Sequence, residues 1–175
     1  RAGMTDAPDL EAAEIAKAFA NPIGQAPLWK LAEGKKTVAI GVDDLSRPTE
    51  AFRFLPVIVD ELHRGGIRDE QIRIIMAIGS HHPMMKEDQE KKLGKVIANQ
   101  FPVTNHHPYE NCADLGCTSR GTPVQVNRYF AEAELRIGVG FISLHPAAGY
   151  GGGAKIVPKK SWEIRHNKLG STPAR

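Results

Sequence analysis

The segment KTVAIGVDD at 36–44 is an unbroken apolar run that ends on two carboxylates. It lacks polar alternation, so both of its faces must be covered, as in a buried strand of a parallel sheet. The same form recurs in QIRIIMAIGS at 71–80, which ends just before His81, and in LRIGVGFISLH at 135–145, which ends in His145. FPVTNHH at 101–107 is a shorter candidate strand.

Between these runs the period lengthens. Residues 8–20 carry Leu10, Ile15 and Phe19 near helical spacing, which predicts an amphipathic helix. NPIGQAP at 21–27 breaks it with two prolines and a glycine. PTEAFRFLPVIVDELHRGG at 48–66 reads as a second helix, closed by Gly65 and Gly66. KEDQEKKLGKVIANQ at 86–100 reads as one charged surface helix. From about residue 146 onward the pattern has no clear period.

Strands alternating with helices predict an α/β fold, a Rossmann-like layered domain with a mainly parallel sheet. In open sheets of this kind, ligands bind in the crevice beyond the carboxyl ends of the strands. The apolar runs end at Asp43-Asp44, at Ser80-His81-His82 and at His145. That topology gathers Asp44, Arg47, His81 and His145 into one crevice.

Composition narrows the function without naming it. The chain has 175 residues, 41% of them hydrophobic and 25% charged, within the ordinary range of a globular domain able to bury its own core. A net charge of +3 with scattered basic residues argues against nucleic acid as a partner. No stretch is apolar for long enough to span a membrane. Cys112 and Cys117 are spaced unlike a zinc pair and have no second pair, so they read as reduced thiols. No charged-then-apolar leader opens the chain, which makes the cytoplasm the expected location.

The polar groups at the strand ends each have a chemical and a plainer reading. Asp44 and Arg47 lie on the turn after the first run. An arginine there can fork onto a carboxylate or phosphate, and Asp44 can take a ribose hydroxyl. Equally, a turn aspartate can cap a helix and the arginine can form a surface ion pair. Neighbouring side chains on extended backbone point apart, so only one of His81 and His82 faces the crevice, and His81 is nearer the strand end. His106 and His107 beside Pro108 read as structural or solvent-facing. Thr118, Ser119 and Gly121 serve a phosphate or a tight turn equally well. The stretch LHPAAGYGGGAK at 144–155 is neither a GxGxxG fingerprint nor a Walker A loop. Its glycines allow a ligand close to the backbone, and Lys155 follows them.

Taken together, these motifs resemble the N-terminal domain of the nickel-dependent lactate racemase family. The resemblance runs from NPIGQAPLWKLAEGKKTVAIGVDDLSRPT to LHPAAGYGGGAK. It rests on the D-x-x-R-P turn from Asp44 to Pro48, the Gly79–His81 loop, TSRGTPVQVNR and the His145–Lys155 stretch, in that order. It implies that residues 1–175 are the cofactor-binding and catalytic N-terminal domain of a lactate racemase-like protein, without the C-terminal domain that the family leads one to expect. It implies an isomerase, a racemase or epimerase of 2-hydroxy acids, with such an acid as substrate and cofactor-synthesis enzymes as partners. The cofactor would be a nickel-pincer nucleotide, a pyridinium mononucleotide whose sulfur-bearing arms hold nickel, tethered through Lys155. His81 and His145 would alternate as acid and base on the substrate hydroxyl while the C2 hydrogen leaves and returns as hydride. Arg47 would hold the substrate, and Asp44 would be the acid at the cofactor site.

The sequence departs from the family pattern in two places. Ala154 stands where many relatives have arginine, and the segment after Pro158 is short. His166, followed by Asn167, is the histidine there that the resemblance offers as nickel ligand. The other readings are a non-catalytic nucleotide- or anion-binding domain on the same scaffold, or a metal-dependent hydrolase. The latter is weakened because no HExxH or carboxylate-rich metal motif is present.

Overall fold

The structure is a computed structural model that describes residues 11–79, 81–119, 121–145 and 149–157, with only the backbone of His145, Gly149, Tyr150, Ala154 and Lys155. In chain order its elements are α1 (Ala12–Ala20), α2 (Leu28–Ala32), β1 (Val38–Val42), α3 (Ala51–Arg64), β2 (Ile72–Met76), α4 (Lys86–Leu93), α5 (Lys95–Gln100) and β3 (Val103–Asn105). They continue with β4 (Cys112–Cys117), β5 (Pro123–Asn127), α6 (Arg128–Glu132), β6 (Leu135–Val139), β7 (Ser143–His145) and β8 (Gly149–Gly151). Short 3-10 turns cover Asp69–Gln71 and Gly153–Ile156.

Four strands make the central sheet, in the order β3-β2-β1-β6, and every pair is parallel. The α/β fold with a parallel sheet is therefore as expected. Strand pleating divides the apolar runs between two faces. Val38, Ile40, Val42, Ile72, Ile74 and Met76 face a large core completed by Leu55, Ile58 and Leu62 of α3 and by Leu93, Ile97 and Ala98 of α4 and α5. Ala39 and Ile75 face the other way, into a smaller cluster with Val126, Phe130 and Ala133. The guanidinium of Arg73 on that second face lies over the Tyr129 ring, 4.0 Å from its centroid. Coverage on both sides explains why β1 has no polar alternation.

Three sequence expectations change. The charged segment 86–100 is two helices, because Gly94 between them takes φ +85° and ψ 142°, backbone open in practice only to glycine. One of its charges is also not on the surface. Lys92 is only 2% exposed, drawn inward by the buried carboxylate of Asp43. The apolar run 135–145 is not one strand. It leaves the parallel sheet after Val139, and Ser143–His145 pairs antiparallel with Gly149–Gly151 in a separate hairpin. The break is sealed from below, because Ile156 packs against Gly138 and Gly140. A Cβ on Gly138 would lie 2.4 Å from Ile156 Cγ2. Finally, 112–127 forms an antiparallel hairpin, β4 with β5, that the turn-rich composition concealed.

Candidate functional site

The sheet order makes one position special. The chain runs outward from β1 through β2 to β3, then returns to place β6 on the opposite side of β1. The crevice beyond the carboxyl ends of β1 and β6 is the topological switch point, where open α/β sheets hold ligands. Asp43 and Asp44 follow β1 directly. Both are buried, at 5% and 7% exposure, although they are ionisable.

Asp44 does not cap a helix. One carboxylate oxygen, Oδ1, accepts the Ser46 backbone N–H at 2.9 Å and the Ser46 hydroxyl, which closes the turn. The other, Oδ2, contacts His81 Nδ1. Burial works to raise the Asp44 pKa. Hydrogen bonds from the Ser46 hydroxyl, His81 and the Ser46 amide, together with the charge of His81, outweigh it and hold the carboxyl below its ordinary value. A carboxylate can only accept, so a proton on Nδ1 completes this contact, and in that tautomer Nε2 is the ring nitrogen left to exchange a proton with a substrate. The His81 side chain is 51% exposed, and Nε2 has no partner among the described residues. His82 is exposed beside it.

The His81 loop is held by the strand beside it. Asn105, which ends β3, receives Met84 N–H on its Oδ1 at 3.1 Å and donates from Nδ2 to Met84 O at 3.0 Å. The His81 amide donates to Ile78 O at 3.0 Å. Nothing in the local sequence marks Asn105 for this task; a polar residue ending an edge strand is the sole trace.

A second buried network underlies the first. Asp43 Oδ2 accepts the Thr49 hydroxyl at 2.5 Å and the Phe141 amide at 3.3 Å. The Lys92 ammonium lies 2.7 Å from Asp43 Oδ1, as an ion pair and not an aligned hydrogen bond, and donates to Arg47 O at 3.0 Å. Sequence reasoning missed Lys92 because it sits in a run of charged residues that looks uniformly solvated. Arg47 lies on the turn after Asp44, its side chain exposed and without an ion pair among the described residues.

The third wall comes from the chain after β6. The hairpin of β7 and β8 and the 3-10 turn Gly153–Ile156 fold back on this end of the sheet. Gly152, at φ +92°, lies so close that a Cβ there would be 2.3 Å from Phe141 O. The Cβ position of Gly140 is 3.3 Å from Ile156 Cγ1 and 3.6 Å from Asp43 Oδ2, which ties the turn carrying Lys155 to the end of β1. The backbones of His145 and Lys155 thus belong to elements at this edge, while their side chains lie outside the description. His166 lies outside the described residues altogether.

The remaining candidates are structural. His106 is buried, with Asn127 Nδ2 3.5 Å from its Nδ1. His107 Nδ1 accepts the Glu110 amide at 3.1 Å. Thr118 and Gly121 close the β4–β5 turn through Gly121 N–H to Thr118 O at 2.9 Å and Thr122 N–H to Thr118 Oγ1 at 3.1 Å. A groove of about 300 Å³ at the amino ends of β1 and β2, lined by Lys36, Arg73, Tyr129 and Glu132, contains none of the expected site residues. No group of three or more His, Cys, Asp and Glu side chains among the described residues is placed to hold a metal ion. Among them, no helix is long and apolar enough to cross a membrane.

Comparison with known proteins places the sequence and the fold. Two lactate racemases are similar in sequence: one from Thermoanaerobacterium thermosaccharolyticum, 32% identical over 145 residues, and one from Lactiplantibacillus plantarum, 34% identical over 145 residues. The alignments cover 82% of this chain and 34% of each relative, so the chain spans about a third of their length. The lactate racemase apoprotein from T. thermosaccharolyticum superposes with a TM-score of 0.77 at 30% identity, over 84% of this chain and 36% of that one. A Thermotoga maritima protein shares the fold, with a TM-score of 0.66 at 23% identity over 85% of this chain and 37% of its own. The sequence pattern of the lactate racemase N-terminal domain matches residues 3–159, and the chain belongs to that family.

Proposed function

We propose that this chain is the N-terminal catalytic and cofactor-binding part of a racemase of 2-hydroxy acids, with lactate the first substrate to test. The observation that carries the reading is the His81–Asp44 pair at the switch point of the sheet, in a chain of this family. A domain that only held an anion would have no need of a base oriented by a buried carboxylate.

The cofactor we assign is the nickel-pincer nucleotide, attached through Lys155, with His166 as a nickel ligand. The chain fits such a group in two respects: the glycines at 151–153, two of them at positive φ, let a ligand lie close to the backbone leading to Lys155, and the pincer brings its own sulfur and carbon donors, so few protein ligands are needed. When bound, it supplies the electrophilic acceptor for the C2 hydrogen, chemistry that no side chain provides.

The chain's own groups do the rest. Arg47 forks onto the substrate carboxylate. His81 Nε2 takes the C2 hydroxyl proton, and the buried Asp44 carboxylate stabilises the imidazolium that forms and keeps Nε2 directed outward. His145 does the same from the other side, so that either enantiomer can lose and regain its proton. The oriented base contributes about 10²–10⁴-fold to the rate.

The test is racemisation of L- and D-lactate, followed by chiral chromatography, by protein co-expressed with the cofactor-synthesis enzymes. His81→Ala and His145→Ala should each abolish exchange of the enantiomers, and intact mass should show an adduct on Lys155. Full activity in both variants, or an unmodified Lys155 in an active protein, would sink the assignment.

A further inference from the structure

We infer that Lys92 is a positioning residue for the substrate-binding turn. The inference rests on the racemase reading for its consequence but on geometry for its cause. A lysine 2% exposed needs an explanation, because an ammonium is seldom left in a core without strong partners. Lys92 has two partners, and both belong to the candidate site. Its Nζ lies 2.7 Å from Asp43 Oδ1 and donates at 3.0 Å to the carbonyl of Arg47.

The second contact gives the residue its function. The segment from Asp44 to Arg47 is a tight turn, with Arg47 N–H donating to Asp44 O at 3.1 Å. Its own hydrogen bonds close the turn but do not fix it to the body of the protein. Arg47 has an exposed side chain and follows two further exposed residues, Leu45 and Ser46. Its carbonyl is held from beneath by a cation that comes from α4, an element anchored in the main core through Leu93. Lys92 also neutralises Asp43, whose other oxygen holds Thr49 and the Phe141 amide at the start of the path to β7. One buried ammonium thus joins α4, the end of β1, the Arg47 turn and the exit from β6. It touches no reacting atom. It sets where the Arg47 guanidinium starts from.

Arg47 holds the carboxylate in the ground state and the transition state alike. A loosened turn therefore raises KM and leaves kcat nearly unchanged. Lys92→Met alone leaves Asp43 buried without its counter-ion and endangers the fold. Lys92→Met combined with Asp43→Asn removes both charges and keeps an amide oxygen for Thr49 and Phe141. In the double variant, the Ser46 and Arg47 amides should exchange with solvent about tenfold faster, while Ile40 and Ile74 in the core strands keep their protection. KM for lactate should rise about tenfold, the size of one lost charge-assisted hydrogen bond, with kcat within about threefold of the parent.

Unchanged exchange at Ser46 and Arg47 overturns the proposal. So does equal acceleration in the core strands, or faster exchange with an unaltered KM in an active enzyme. If the parent protein racemises nothing, the functional reading fails, and the exchange measurement still decides whether Lys92 holds the turn.

Discussion

Asp44 spends one oxygen on its own turn and the other on His81, and its pKa is the balance between burial and those hydrogen bonds. Since the folded carboxyl ionises below its ordinary value, ionised Asp44 stabilises the fold at all pH above that value. The contribution is lost as the pH falls below the ordinary carboxylate range, under about pH 4, towards the folded pKa. Asp44→Asn should therefore lower Tm at neutral pH and flatten the acid limb of Tm against pH, which thermal melts between pH 3 and 7 would reveal. The same variant should lower kcat by about 10²-fold or more, because an amide can donate to Nδ1 and leave Nε2 protonated, the wrong tautomer for a base. At Lys92 the expectation is stability as well as kinetics. Lys92→Met alone abandons a buried carboxylate and should cost about 3–5 kcal/mol, with most of it recovered when Asp43→Asn is added. Denaturant titration of the parent and the two variants measures this.

At the scale of elements, two glycine contacts decide how parts meet. Gly94 lets α4 end and α5 begin, with φ +85° and its Cβ position 3.2 Å from Phe52 Cβ on α3. Gly94→Ala combines backbone strain with that contact and should destabilise by about 1–3 kcal/mol, visible as a lower Tm. Gly138 has a more local duty. A methyl there would meet Ile156 Cγ2 at 2.4 Å and push away the 3-10 turn that includes Lys155. Gly138→Ala should keep the circular dichroism of the parent yet reduce the Lys155 adduct in intact-mass spectra. Equal modification of variant and parent would show that the turn tolerates displacement. Gly138 also explains where the apolar pattern misled. A continuous run from Leu135 to His145 cannot reveal that another part of the chain will pack over its middle.

For the whole molecule, protection from solvent should be graded along the layers. The strands β1 and β2 are covered on both faces, and Ile40 and Ile74 are fully buried. Among the described residues the β7–β8 hairpin pairs only with itself, and Leu144 is 80% exposed. Hydrogen exchange should release the amides of Ser143–His145 and Gly149–Gly151 well before those of β1 and β2. Simultaneous release would mean that the hairpin and sheet open as one unit.

How much of this was legible beforehand follows from the range of each interaction. The parallel sheet, the helix over Ala51–Arg64 and the clustering of Asp44 and His81 at strand ends could be read from the sequence, because burial on two faces and helical amphipathicity leave periodic marks on contiguous residues. The motif order also carried the family. The inward turn of Lys92, the clamp from Asn105 and the departure of the chain from the sheet after Val139 were not legible. Each depends on a partner far away in sequence, such as Asp43 for Lys92 or Ile156 for Gly138, and a one-dimensional pattern holds no record of such a partner. The sequence by itself determined which residues would be buried strands and which polar groups would stand at their ends. The tertiary structure alone decided which of those groups are paired, because charge and hydrogen bonding act through space, and the order β3-β2-β1-β6 puts Asp43 and Asp44 where α4, the His81 loop and the exit from β6 converge.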